Sequence, residues 1–204
     1  MLIYIEYFSR RPGISIEDFH AIAGAGQTGW ADQYAEDELV VNLGRTWRVG
    51  PEPEYLAVWL NRTSGLELLG QWEDEFKSGN ADALEKPMQV VSRLDRAGCY
   101  RPLREPVRGV NGPYYIEYLD FAPGATTDQV TEFFDKRSAA HSNLTLHVLA
   151  DRIGHLGPDL RCLAIWGLPD YETLGTIAEE LQDGSAPVVL RCAGLYANLG
   201  DETL

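Results

Sequence analysis

Apolar and polar positions alternate in LIYIEYF, Leu2 to Phe8, and again in YYIEYLDF, Tyr114 to Phe121. A period of two marks a β-strand whose two faces meet different surroundings. Each run is followed by a turn signal, Pro12-Gly13 and Pro123-Gly124. After the first turn, Ser15-Ile16-Glu17-Asp18 resembles a capping box, and Phe19, Ile22 and Ala23 follow at helical spacing. LVVNLGRTWRV then reads as a second strand, Gly50 to Pro53 as a turn, and EYLAVWL as a third strand. SGLELLGQWEDEF sets Leu66, Leu69, Trp72 and Phe76 on one helical face, and VVSRLDRAGCY closes the series as a fourth strand. Downstream the same logic predicts strand 113–121, helix 126–141, strand 143–154, strand 160–167, helix 170–182 and strand 187–197.

The two halves are one pattern written twice. YIEY at Tyr4 recurs at Tyr115, and Pro12-Gly13 recurs at Pro123-Gly124, both 111 positions on. GPEPEYLAVW from Gly50 matches GPDLRCLAIW from Gly157, 107 on, and Arg45 falls on Arg152 in that register. AGCY from Ala97 matches AGLY from Ala193, 96 on. The shrinking offset assigns surplus connection to the first copy, in GAGQTGW (Gly24 to Trp30) and SGNADALEKP (Ser78 to Pro87). The chain therefore divides into repeat 1–101, a proline-bearing linker 102–112, and repeat 113–204.

The order β-α-β-β-α-β in each copy is the ferredoxin-like split βαβ motif, an α+β fold. Each four-stranded antiparallel sheet carries helices on one face and needs cover on the other. The expected solution is two sheets packed face to face as an intramolecular α+β barrel with a cavity between them. On the element order and the repeat, from Leu2 to about Asn198, the chain resembles the dimeric α+β barrel superfamily. Its EthD-like, NIPSNAP-like and antibiotic-biosynthesis-monooxygenase-like members are the nearest in kind. That resemblance implies the shape and says little of the chemistry. Chlorite dismutase-like relatives of the fold bind heme through a histidine of the second half, which would point to His147 or His141. No cofactor is the expectation here, with heme the alternative.

Sending the aliphatic face of each strand to the helices turns the other face to the cavity. Tyr4, Glu6, Asn42, Tyr55 and Trp59 of the first copy then face inward, with Tyr115, Glu117, His147 and Trp166 of the second. An aromatic wall with a few ionisable groups suits a small hydrophobic or aromatic ligand. Glu6, Glu117 and His147 are the candidate acid–base residues, since burial lifts a carboxyl toward neutrality. Tyr4, Asn42, Tyr55, Trp59, Tyr115 and Trp166 are the candidate substrate contacts. Core packing or pairing with a repeated arginine is the structural alternative for each.

Composition narrows the field. A net charge of −14 among 204 residues disfavours nucleic acid. No apolar run reaches a membrane span, and MLIYIEYF lacks the basic start of a signal peptide, so the expected compartment is the cytoplasm. Three cysteines without CxxC spacing, and histidines that do not cluster, argue against a metal. There is no P-loop, dinucleotide fingerprint, HExxH or GxSxG. The expectation is a cofactor-independent enzyme of isomerase, cyclase, dehydratase, C–C lyase or cofactor-free oxygenase type, monomeric or homodimeric. A non-catalytic ligand-binding or assembly module is the alternative, and the size of the cavity between the sheets separates the two.

Overall fold

The computed structural model describes residues 1–46, 50, 54–109, 112–181 and 184–199. The first half runs β1 (Leu2–Arg10), α1 (Ile16–Gln33), β2 (Asp37–Arg45), β3 (Tyr55–Asn61), α2 (Leu68–Ser78), α3 (Asp82–Val91) and β4 (Ser92–Pro102). The second runs β5 (Pro113–Phe121), α4 (Thr127–Ala140), β6 (Thr145–Arg152), β7 (Cys162–Gly167), α5 (Leu174–Ala178) and β8 (Val188–Asn198). The predicted strand end 47–49 and most of the turn 50–53 lie outside the described residues, as do linker positions 110 and 111. No helix among the described residues is long and apolar enough to cross a membrane.

Local chemistry explains the paired helix starts. Ser15 Oγ accepts from the Asp18 amide at 3.0 Å, and Thr126 does the same for Gln129 within a full capping box. The surplus of the first copy is helix where loop was expected. GAGQTGW belongs to α1, and ADALEKP supplies most of α3. A Cβ on Gly26 would lie 3.1 Å from Met88, and one on Gly29 would lie 2.7 Å from Leu84. These two glycines let α3 close onto α1, at about 1 kcal/mol each relative to alanine in a helix. The second half has no counterpart to α3, and its helix predicted over 170–182 is the short α5.

All eight strands form one antiparallel ring in the order β1-β3-β2-β8-β5-β7-β6-β4. The expected face-to-face packing of two sheets is corrected accordingly. The halves join edge to edge, where Leu43–Arg45 of β2 meets β8 and Tyr100–Pro102 of β4 meets β6. The ring leaves no open edge among the described strands.

The interior of the ring is packed with aliphatic side chains and tyrosines, among them Ile3, Ile5, Val58, Leu60, Ile116, Val148 and Ile165. The interior tyrosines satisfy one another. Tyr7 and Tyr100 hydroxyls lie 3.5 Å apart, and their twins Tyr118 and Tyr196 lie 3.1 Å apart. A pocket of about 70 Å³ lies at the mouth beside Tyr7, Tyr100 and Tyr118. The aliphatic face fills the narrow interior of this eight-stranded ring, and the aromatic face goes out under the helices. The expected inward orientation is thereby reversed for most of the candidate residues.

The repeated glycines are where the halves touch. Gly50 (φ 127°) would place a Cβ 2.6 Å from the Cα of Gly194, and Gly157 (φ 143°) would place one 2.9 Å from the Cα of Gly98. Gly50 of the first half and Gly157 of the second thus each pack on the final strand of the other half. Both the positive φ and the backbone approach exclude a side chain. Gly157→Ala is expected to destabilise the fold by about 2 kcal/mol or more, read as a lower midpoint in urea unfolding. An unchanged midpoint would show that this contact does not hold the halves together.

Candidate ligand site

Glu6 lies on β1 opposite Ala57 of β3, and Glu117 lies on β5 opposite Ala164 of β7. The small neighbour leaves each carboxylate open to the tryptophan two residues further along the same strand. Trp59 Nε1–H donates to Glu6 Oε2 at 2.9 Å, and Trp166 Nε1–H donates to Glu117 Oε2 at 2.9 Å. Both pairs stand on the outer face of the ring, beneath the helices. Tyr55 and Trp59 pack with Phe19 and Ala23 of α1, and Tyr115 and Trp166 pack with Val130 and Phe134 of α4. Tyr4 meets Trp72 of α2 edge-on at 4.8 Å. Asn42 donates through Nδ2 to Gln27 of α1. The placement of Tyr4, Glu6, Asn42, Tyr55, Trp59, Tyr115, Glu117 and Trp166 toward an inter-sheet cavity is corrected: all eight face helices.

His147 alone of the candidates lies on the inner side. It occupies the bulge between Leu146 and Val148, with its ring 5.4 Å from that of Tyr114. Its Nδ1–H donates to the Val107 carbonyl at 2.9 Å, and the Val107 amide returns a bond to the His147 carbonyl. Burial lowers its pKa, against the pull of that carbonyl. A neutral imidazole strapped under the linker is far from both carboxylates, and the three proposed acid–base residues do not form one site.

The second-half pair is sealed by Arg137. Its Nη1 donates to Glu117 Oε2 at 2.7 Å, its Nη2 to the Ile177 carbonyl at 2.7 Å, and its Nε to Glu180 at 2.5 Å. The guanidinium also lies over the Trp166 ring, 5.1 Å from its centroid. Burial pushes the Glu117 carboxyl up, against the opposing pull of Arg137 and Trp166. Glu117, Arg137, Phe134, Trp166 and Ile177 are all buried.

The first-half pair opens on a cavity of about 190 Å³. Its walls are Tyr4, Glu6 and Trp59 of the sheet, Gly26, Gln27 and Trp30 of α1, Trp72 and Phe76 of α2, and Leu84, Glu85 and Met88 of α3. The cause is two truncations. At the spacing that matches Tyr4 to Tyr115, Ala23 stands where α4 has Phe134, and Gly26 stands where it has Arg137. Buried Asp37 fixes the far wall, accepting from Trp30 Nε1 at 3.1 Å and Trp72 Nε1 at 2.9 Å. Burial pushes Glu6 up to about 7, the Trp59 bond opposes this, and Glu85 adds to it. Sequence reasoning missed Gln27, Trp30, Asp37, Trp72 and Glu85 as site residues. The available signal was the difference between aligned copies, Gly26 against Arg137 above all.

No family model matches the chain, and no curated protein matches it. Solved structures of like fold do. A candidate chlorite dismutase, TA0507, superposes with a TM-score of 0.62 at 10% identity, covering 98% of this chain and 96% of that one. A mutant chlorite dismutase from Candidatus Nitrospira defluvii in complex with cyanide gives 0.56 at 9% identity, covering 97% and 91%. A candidate DyP-type peroxidase from Shewanella oneidensis gives 0.57 at 8% identity, covering 98% and 93%. At these identities the likeness shows a shared α+β fold with a large antiparallel sheet.

These neighbours overturn several expectations. The resemblance to EthD-like, NIPSNAP-like and antibiotic-biosynthesis-monooxygenase-like proteins gives way to chlorite dismutases and dye-decolorizing peroxidases. Those are heme-dependent enzymes, so the expected absence of a cofactor and the isomerase, lyase or monooxygenase chemistry lose their ground. The interior that this chemistry needed is packed with Ile3, Ile5, Val58, Ile116 and Ile165, beside a mouth pocket of about 70 Å³. The non-catalytic alternative gains no support from the same neighbours.

Heme itself finds no fit at either Glu–Trp pair. In the second half, Arg137, Phe134 and Trp166 fill the space between sheet and helices. His141 Nε2 is taken by Glu180, and His147 lies on the other face of the sheet. No histidine or cysteine lines the first-half cavity. No group of three or more His, Cys, Asp or Glu among the described residues could hold a metal ion.

Two stability measurements check these environments. Glu6 keeps its proton more tightly folded than unfolded, so its contribution is whole below pH 4.5 and is lost as pH rises toward 7. Relative to Glu6→Gln, the native chain should lose up to roughly 3 kcal/mol of unfolding free energy across that window, measured in urea at pH 4.5 and pH 8. Equal pH slopes for both chains would refute the buried, poorly compensated carboxyl. In the second half, Arg137→Ala strands Glu117 and should cost about 3–5 kcal/mol, whereas Glu117→Gln with Arg137→Met should recover most of it. A double variant as unstable as the single one would place the cost in packing instead of charge.

Proposed function

We propose that this chain binds a small aromatic or hydrophobic molecule in the first-half cavity, between the outer face of the sheet and helices α1, α2 and α3. The observation that carries the reading is the contrast between two otherwise matched sites. The same Glu–Trp pair is closed by Arg137 and Phe134 in one half and left open by Gly26 and Ala23 in the other. Packing alone does not call for a hole beside a buried carboxylate, because the second half shows how the same frame is filled. The aromatic walls supply apolar contact, and Glu6 supplies the polar group that orients a ligand.

The solved structures of like fold carry the names of enzymes. On that ground we take the bound molecule to be a substrate. The site falls in the first of the two repeats, 1–101, which the linker 102–112 joins to 113–204. We read these repeats as ferredoxin-like units closed into one intramolecular barrel. Of the candidate residues, Tyr4, Glu6 and Trp59 belong to this site directly, and Asn42 supports it through Gln27. Tyr55, Tyr115, Glu117, His147 and Trp166 take structural roles.

Indole, titrated calorimetrically into the protein, is expected to bind saturably in the cavity that Trp30, Trp59 and Trp72 wall. Gly26→Leu, which fills the cavity from α1, should weaken that binding at least tenfold. Saturable binding of equal strength in both chains would move the site elsewhere and overturn the proposal.

A further inference from the structure

We propose that the first-half cavity recognises an organic cation, a guanidinium, amidinium or amine on an aromatic or apolar body, seated against Glu6 and Trp59 as Arg137 is seated against Glu117 and Trp166. The inference rests on reading this cavity as a ligand site, and it adds the charge that the ligand carries.

The protein contains its own template for the complex. In the second half, a guanidinium bonds the carboxylate at 2.7 Å and lies over the indole that donates to the same oxygen. In the first half the carboxylate and the indole are kept with the same 2.9 Å bond. Only the cation is missing, because the helix position that supplies it is Gly26. A ligand bearing a planar or compact cation restores the arrangement from outside.

The rest of the cavity suits such a group. Tyr4, Trp30 and Trp72 line it with aromatic surface, and the face of such a ring attracts a desolvated cation. Glu85 on α3 brings a second carboxylate to the wall. Two arginines also line the cavity, Arg11 beside Gln89 and Ser92, and Arg93. Arg11 Nε donates to the carbonyls of Gln89 and Ser92, and Arg93 pairs with Asp95 at 2.6 Å. The groups facing Glu6 are therefore the second acid and the Tyr4 phenol, besides those two arginines. A bound cation favours the ionised form of Glu6, which burial otherwise disfavours.

Three molecules of one shape separate charge from fit: benzamidine, benzamide and benzoate. Each is titrated calorimetrically into the full chain at pH 6 and pH 8, using the native protein, Glu6→Gln and Gly26→Arg. At pH 8 benzamidine should bind native protein at least tenfold more tightly than benzamide, with benzoate weakest. That preference should shrink several-fold at pH 6 and vanish in Glu6→Gln, which still binds benzamide. Gly26→Arg, which installs the internal guanidinium, should bind none of the three. Glu6→Gln decides alone if Gly26→Arg does not fold. Equal binding of benzamidine and benzamide by the native chain, or a preference that survives Glu6→Gln, overturns the cation and leaves the cavity as a ligand site. Failure of all three to bind the native chain at millimolar concentration overturns both.

Discussion

Closing eight strands into a ring leaves a narrow interior, and in this protein side chains fill it. Here that interior takes Ile3, Ile5, Val58, Ile116, Ile165 and two hydroxyl-paired tyrosine couples. Everything larger or charged on the alternate face must go outward, where helices set a roomier distance from the sheet. The carboxylates Glu6 and Glu117 and the indoles Trp59 and Trp166 lie under helices for this reason. A ligand site between the strands and the helices is then the natural place for polar recognition, and a site at the centre of the barrel is not.

The second constraint is the cost of burying a carboxylate. A protein has two economical ways to meet it: give the group a cation, or keep it in contact with space that a solvent molecule or ligand can enter. The two halves show one each. Arg137 binds Glu117, Glu180 and the Ile177 carbonyl, and so locks β5, α4 and α5 into one unit. Glu6 has Trp59 and a cavity, and the first half spends an additional helix, α3, on walling that cavity. Removal of an arginine and addition of a helix act in concert, one making the hole and the other covering it.

Much of the fold was legible because the sequence says most things twice. Alternation in LIYIEYF and YYIEYLDF set the strands, and the matched glycines Gly50, Gly157, Gly98 and Gly194 turned out to be contacts between the halves. The facing of each strand was not legible. Period-two alternation divides residues into two sets without saying which set meets the helices, and aliphatic content pointed the wrong way. GAGQTGW read as loop because glycine disfavours helix in isolation, whereas here Gly26 and Gly29 are the seat on which α3 packs. Glu6 and Trp59 were found through strand spacing. Trp30 and Trp72 escaped because Asp37, which aims both indoles, comes from a strand distant in sequence from α2.

The overall charge changes meaning once the cavity is placed. A chain of net charge −14 reads first as merely soluble. With a carboxylate-bearing, aromatic-walled cavity as the binding site, the same excess of acid produces a negative field that draws cations in and slows anions. Long-range attraction and the local template then favour one sign of ligand. The salt dependence of the two differs: the field is screened within about 8 Å at physiological ionic strength, whereas a contact inside the cavity is not. Selectivity for charge in this protein should therefore reside in Glu6, with the surface acids governing the rate of encounter more than the strength of binding.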